Sequence, residues 1–166
     1  MEDLLREADT AMYRAKDLGR NRIRFYEAAM QADVQERLAL EQDLKKAQAL
    51  GQLAAFVQNQ VDAAGNMVGG ELLMRWDHPV RGNVPPSRFI PIAEASGLIL
   101  RMGDWMIQQA CETLARLQGA GHALSLSVNV SERQFRQDDF VERVRHILAH
   151  TCLLYTSDAA DDLLCV

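Results

Sequence analysis

From Gln52 onward the chain alternates between two periodicities, and that alternation restricts the folds open to it. "LAAFVQNQV" (53–61) and "MVGGELLMRW" (67–76) read as strands, separated by the turn "DAAGN". Gly69 and Gly70 in the second strand suit a place where another backbone approaches closely. "DHPVRGNVPPS" is a loop rich in Pro and Gly. Ser87 can cap a short helix, "RFIPIAEAS", with Pro91 tolerated in a first turn whose N–H groups are unpaired anyway. "RMGDWMIQQACETLARLQGAG" is amphipathic through Met102, Met106, Ala110, Leu114 and Leu117. "LSLSVNV" (124–130) alternates as a third strand. Ser131 and Gln134 then form a capping-box pattern that opens a helix, "ERQFRQDDFVERVRHILAH". Strand, helix, strand, helix predicts an α/β architecture with a largely parallel sheet.

The first fifty residues have another texture. "DLLREADTAMYRAKDLG" predicts a helix, with Leu5, Ala8, Met12 and Ala15 at spacings of three and four, a start capped by Asp3 and an end at Gly19. "NRIRFYE" alternates and reads as a short strand. "AAMQA" marks a domain boundary without Pro or Gly, hence a semi-rigid helical linker. "DVQERLALEQDLKKAQALG" is a second helix, with Val34, Leu38 and Leu44 near one face.

Composition excludes several classes. No apolar run is long enough to span a bilayer, and "MEDLLREADT" lacks the basic start and apolar core of a signal peptide. A net charge of −5 gives no reason to expect a nucleic-acid polymer as partner. Cys111, Cys152 and Cys165 have no metal-like spacing. They fit free thiols in a reducing, cytoplasmic setting.

One stretch raises a chemical question. In "VGGELLMRWDHP" the carboxylate of Glu71 interrupts an apolar run, and Arg75 follows four residues later. Read from the residues alone, this is either a surface strand with an incidental ion pair or a strand end that presents a metal ligand and a phosphate clamp. Other polar residues have plain readings. Asn129 suits a strand-end turn. His78, in a His-Pro loop, suits a structural turn. Trp76 and Trp105 suit packing, and Asp138 and Asp139 an exposed helix face.

Two resemblances bear on that question. "GGELLMRWDHPVRGNVPPSRFIPIAEASGLILRMGDWMIQQAC" and "SVNVSERQF" carry, in order, a Glu-x-Leu strand, Arg-Trp, His-Pro, Phe-Ile-Pro, Ala-Glu, Gly-Leu-Ile and Ser-Val-Asn-x-Ser. This series resembles the N-terminal half of an EAL domain, a cyclic di-GMP phosphodiesterase, over residues 38–151. "READTAMYRAKDLGRNRIRFY" resembles the last helix and strand of a GGDEF (diguanylate cyclase) domain, over residues 1–27. With 28–37 as the linker, the chain resembles the junction of a tandem GGDEF–EAL protein. The tail "CLLYTSDAADDLLCV" (152–166) resembles a translated transposon-end sequencing adapter and is set aside as non-native. Its alternative is a genuine C-terminal helix carrying Asp158 and Asp161.

The resemblance implies an incomplete TIM-like (β/α)8 barrel, since a whole one needs about 250 residues. It implies Glu71 and Asn129 as ligands of Mg2+ or Mn2+, hard ions that take oxygen donors and act in pairs on phosphodiesters. It implies Gln58 and Arg75 as contacts of cyclic di-GMP, with a planar Arg fork on phosphate. Lys16 and Arg20 match GGDEF positions that meet nucleotide phosphates, but with the rest of that domain absent, solvated cations near a helix C-terminus describe them better. The remaining acidic and Lys ligands of an EAL domain have no counterpart here, so the isolated chain is expected not to hydrolyse cyclic di-GMP and to expose an unclosed sheet edge. A homodimer of the full protein is compatible with the resemblance. The departures are Leu72, where the motif has Ala, and Val57 and Asn59, where an aromatic and a Pro flank the Gln. They are expected to alter the pocket wall. They leave open a receptor or protein-interaction module that binds cyclic di-GMP without cleaving it.

Overall fold

The computed structural model describes residues 2–17, 23, 25–122 and 124–151. Residues 152–166, Arg20 and Gly19 lie outside them. The chain divides into two compact units, Met1–Asp43 and Leu44–Val166.

In the first unit, α1 (Glu2–Asp17) is followed by the opening part of α2 (Ala28–Ala47). "AAMQA" is thus helical, and α2 begins five residues ahead of the expected Asp33. Thr10 ties the two helices together: its hydroxyl lies 2.8 Å from Arg6 O and 3.2 Å from Gln31 Oε1. Thr10 and Ala11 are buried, whereas Leu5 and Met12, half of the expected apolar stripe, are more than half exposed. Of the expected strand "NRIRFYE", Asn21, Arg22 and Arg24 lie outside the described residues. Ile23 and Phe25–Glu27 carry no strand pairing, and Ile23 and Phe25 are about 85% and 84% exposed. A strand exists through its ladder, and no partner strand lies in this unit among the described residues.

The second unit is a mixed α/β layer. β1 (Leu53–Val61) runs antiparallel to β2 (Met67–His78), with Leu53 opposite Trp76 and Gln58 opposite Glu71. Asp62 builds the turn between them. Its carboxylate accepts from Ala64 N and Asn66 N, both at 2.9 Å, and from Asn66 Nδ2 at 3.1 Å. The Asn66 bonds hold the Asp62 carboxyl below its usual 3.8. β3 (Gly82–Val84), unanticipated inside the Pro/Gly loop, pairs antiparallel with 76–78 of β2. β4 (Ser125–Val128) pairs parallel with Gly69–Leu72. The expected largely parallel sheet is therefore corrected: two of its three pairings are antiparallel. Short turns can join only antiparallel neighbours. The parallel partner needs a long crossover, which α3 (Pro86–Ser96) and α4 (Leu98–Gly119) supply.

Those helices cover one face of the sheet. Leu72, Met74, Trp76 and His78 alternate toward them and are buried, with Phe89, Ile92, Met102 and Met106. Trp76 is fully buried. It stands edge-on to Phe89 at 5.8 Å and donates Nε1–H to Gln52 Oε1 at 3.2 Å. His78 is structural, as expected: its Nδ1 accepts from Val80 N and Arg81 N at 3.2 and 3.1 Å. Pro91 is not in a first turn. α3 begins at Pro86, which places Pro91 mid-helix on the exposed side, where water can serve the unpaired carbonyl. Gly97, at φ 81°, ends α3 and opens α4.

The final helix is split into α5 (Glu132–Phe135) and α6 (Phe140–His150). Gln134 and Phe140 are both buried. In one continuous helix a six-residue spacing would turn them about 240° apart, so a break at 136–139 lets both face inward. Asp138 and Asp139 lie in that break, and Asp139 bonds Arg143 at 2.8 Å. Phe140 packs with Ile107 and Cys111, and Val128 and Val130 join that cluster.

Candidate functional site

The pleat of β2 sorts its side chains. Glu71, Leu73 and Arg75 point away from the helix-covered face and are half-buried. Register then selects their neighbours. Gln58 on β1 and Ser127 on β4 lie directly opposite Glu71, so all three side chains share the open face. Two glycines permit this close stacking of strands. A Cβ at Gly69 would meet Ser125 Oγ at 2.7 Å and Ser125 O at 2.8 Å. One at Gly70 would press on Val57 and Leu126. Glycine is needed at both positions for space rather than for φ.

Asn129 is the first residue past β4. Val128 and Val130, on either side of it, turn into the core cluster, which leaves Asn129 facing the other way. Its Nδ2 donates to Glu71 Oε1 at 2.6 Å. The structure thus brings Gln58, Glu71 and Asn129 to one spot. Arg75 shares the face but sits two same-face positions on, about 13 Å along the strand, and its Nη1 donates to Met74 O at 3.0 Å. The expected strand-end position of Glu71 is corrected: Glu71 lies mid-strand, since β2 runs on to His78. It is at the level where β4 ends. Lys16 is exposed on α1, in the other unit, and Arg20 lies outside the described residues.

The departures from the EAL pattern fall elsewhere. Leu72 is 1% exposed in the helix-covered core. Val57 and Asn59 lie opposite Leu72 and Gly70 and alternate with Gln58. None of the three shares the face of Glu71, so the expectation that they reshape the wall around it is corrected by the strand period itself.

The donors at this spot are hard oxygens, a carboxylate and an amide, and they suit Mg2+ or Mn2+ better than a thiophilic ion. Among the described residues, no group of three or more His, Cys, Asp or Glu is placed to hold a cation. The two residues therefore fit as one side of a cation site. Cys111 is no nucleophile for it: the thiol is buried and burial pushes it above its usual 9.0. Ser127, in register with Glu71, was not anticipated. Its signal was its place two residues before Asn129 in the alternating run.

Comparison with known proteins identifies the family of this fold. The EAL domain family profile matches residues 41–154. The bifunctional diguanylate cyclase/cyclic di-GMP phosphodiesterase MucR of Pseudomonas aeruginosa is 42% identical over 148 residues, 88% of this chain and 22% of its own length. The oxygen sensor protein DosP of Escherichia coli is 41% identical over 143 residues, 85% of this chain and 18% of its own. The chain thus spans about a fifth of the length of these curated relatives. Among solved structures, the PaMucR phosphodiesterase in complex with cyclic di-GMP superposes with TM-score 0.67 at 38% identity, over 69% of this chain and 47% of that one. The EAL enzyme Bd1971 in its cGMP-bound form gives 0.68 at 28%, over 74% and 36%. The matching profile, the relatives and the shared fold have one conclusion: this chain belongs to the EAL domain family.

Proposed function

We propose that this chain supplies the opening portion of a (β/α)8 barrel that hydrolyses cyclic di-GMP to a linear dinucleotide with Mg2+ or Mn2+. The observation that carries the reading is the Glu71–Asn129 contact on the open face, with Gln58 in register beside it. When bound, the cations would supply an activated water and neutralise phosphate charge. The chain's own residues have the complementary tasks. Glu71 and Asn129 hold oxygen donors at a fixed separation. Gln58 offers an amide to the ligand, and Arg75 offers a planar cation one phosphate-bearing ligand's reach away.

Residues 1–27 are the end of a GGDEF domain and 28–37 the helical link to it in this reading. Support comes from the MucR relative, a bifunctional diguanylate cyclase/cyclic di-GMP phosphodiesterase, and from a similarity to it that extends beyond the EAL match. Residues 152–166 are a non-native tail, tested by resequencing the source DNA across the Cys152 codon with a library free of transposon-end adapters. A strand with a further Glu in that frame is the expected result. A stop codon after "CLLYTSDAADDLLCV" would refute it. The 166-residue chain alone is expected to be inactive, because two donors do not hold two cations against water.

The activity itself is tested by a chimera, in which residues 38–151 replace their counterpart in the MucR phosphodiesterase domain. Turnover of cyclic di-GMP that disappears in Glu71→Gln is expected. A folded chimera that binds cyclic di-GMP without cleaving it would favour the receptor reading. Leu72, Val57 and Asn59, the departures that leave that reading open, lie on the face away from Glu71.

A further inference from the structure

The contact between Asn129 and Glu71 has an unusual support. β4 ends at Val128, so Asn129 lies beyond the ladder and needs another anchor. The chain reaches one two residues later. Ser131 is the N-cap of α5, and its Oγ accepts from Gln134 N at 3.2 Å. Gln134 returns the bond. Its Oε1 accepts from Ser131 N at 3.2 Å and from Ser131 Oγ at 3.0 Å. This reciprocal pair is a capping box, but α5 is a single turn of four residues, too short to need so complete a cap for its own sake.

Gln134 is also misplaced by ordinary preference. It is 1% exposed, and its Nε2 is buried without a hydrogen-bond partner among the described residues. An apolar side chain would fill the same space without stranding an amide. The space exists only because α4 has Gly103 there, where any Cβ would collide with the Gln134 carboxamide. A glycine within a helix weakens it, and a buried unpaired amide weakens the core. Both occur where Gln134 hydrogen-bonds the backbone and hydroxyl of Ser131. Next door, Arg133 Nη1 donates to Glu94 O at the C-terminal end of α3, which ties the same turn to a second helix.

We propose that Gln134, seated in the slot opened by Gly103, is a positioning residue that holds Asn129 against Glu71 through the Ser131 cap. The inference deepens the phosphodiesterase reading, since it assigns a residue to the geometry of that site. The hydrogen bonds of the Gln134 side chain go to Ser131. Gln134 acts through the backbone of 129–131.

The test uses the isotope-labelled 166-residue chain and nuclear magnetic resonance. In the native sequence, the Asn129 Nδ2 proton bonded to Glu71 is shifted away from its twin, and Glu71→Gln as a control narrows that separation. Gln134→Met keeps volume and removes both bonds that the Gln134 side chain makes to Ser131. It is expected to reduce the separation by half or more while the Trp76 indole signal, bonded to Gln52, stays in place. Gly103→Ala is expected to do the same by evicting Gln134. If either variant fails to fold, Ser131→Ala removes one hydroxyl and carries the same expectation. An Asn129 signal unchanged while Trp76 reports a folded core would overturn the proposal. So would equal disturbance of both signals, which would mean a general structural role. A chimera without turnover would sink the phosphodiesterase reading and leave this result intact, so the two failures are distinguishable.

Discussion

Glu71 and Leu72 are adjacent in sequence and lie on opposite faces of β2: one meets Asn129 on the open side, and the other is buried to 1% beneath α3 and α4. The family's motif has Ala at the second position, yet here the surrounding core is filled by Leu. Leu72→Ala, though it restores the motif, is expected to destabilise the chain by about 2–5 kcal/mol. Chemical denaturation measures it, and a variant as stable as the native chain would mean that the core does not pack on Leu72.

Asn129 and Glu71 should behave in the reverse manner. Asn129 is exposed, so Asn129→Ala is expected to change stability by no more than about 0.5 kcal/mol. In the chimera the same change should lower turnover by about 100-fold or more. Parallel denaturation and rate measurements on one preparation check both halves.

Gly69→Ala tests the close approach of β2 and β4. The new methyl would sit 2.7 Å from Ser125 Oγ and 2.8 Å from Ser125 O, the second a backbone atom that cannot swing aside. A loss of about 1–3 kcal/mol is expected. Amide hydrogen exchange at Leu126–Val128 should accelerate more than that of β1. Uniform acceleration across the sheet would contradict a local clash.

Asp104 sets a pH dependence of its own. It pairs with Arg143 Nε at 3.3 Å, but its Oδ1 is buried without a partner among the described residues. Desolvation raises its carboxyl above the usual 3.8, against the pull of Arg143. The folded state therefore holds this proton more tightly than the unfolded one. Ionising Asp104 removes stability as pH rises from 3.8 through the raised value. Asp104→Asn should accordingly equal or exceed the native chain in urea midpoint at pH 7, and the gap should close as pH falls toward 3.8. A gap that widens at acid pH would reverse the sign.

Legibility differed by the range of the interaction involved. The capping box at Ser131 and Gln134, the strands around Gln58 and Glu71, and the turn at His78 are local in cause, and each could be read from a few neighbouring residues. The face on which Leu72, Val57 and Asn59 lie was readable in principle, because a strand alternates. It became decisive only once register placed Gln58 opposite Glu71. The antiparallel majority of the sheet was missed because β3 is three residues long and hidden in a Pro/Gly loop. The split between α5 and α6 was missed because it depends on Gln134 finding a slot at Gly103, a residue of another helix. The described part of "NRIRFYE", Ile23 and Phe25–Glu27, has no partner strand among the described residues, and alternation alone does not supply one.

The hydrogen bond between Asn129 and Glu71 spans 58 residues of sequence, and that has a consequence for the birth of the protein. At about 5–20 residues per second on the ribosome, Glu71 is synthesised roughly 3–12 seconds before Asn129 exists. During that interval the β1–β2 hairpin has all of its own register, yet its carboxylate still awaits its amide partner. The hairpin is therefore a nascent-chain scaffold made first, and the donor pair is completed only when translation has passed α4 and released β4 to dock.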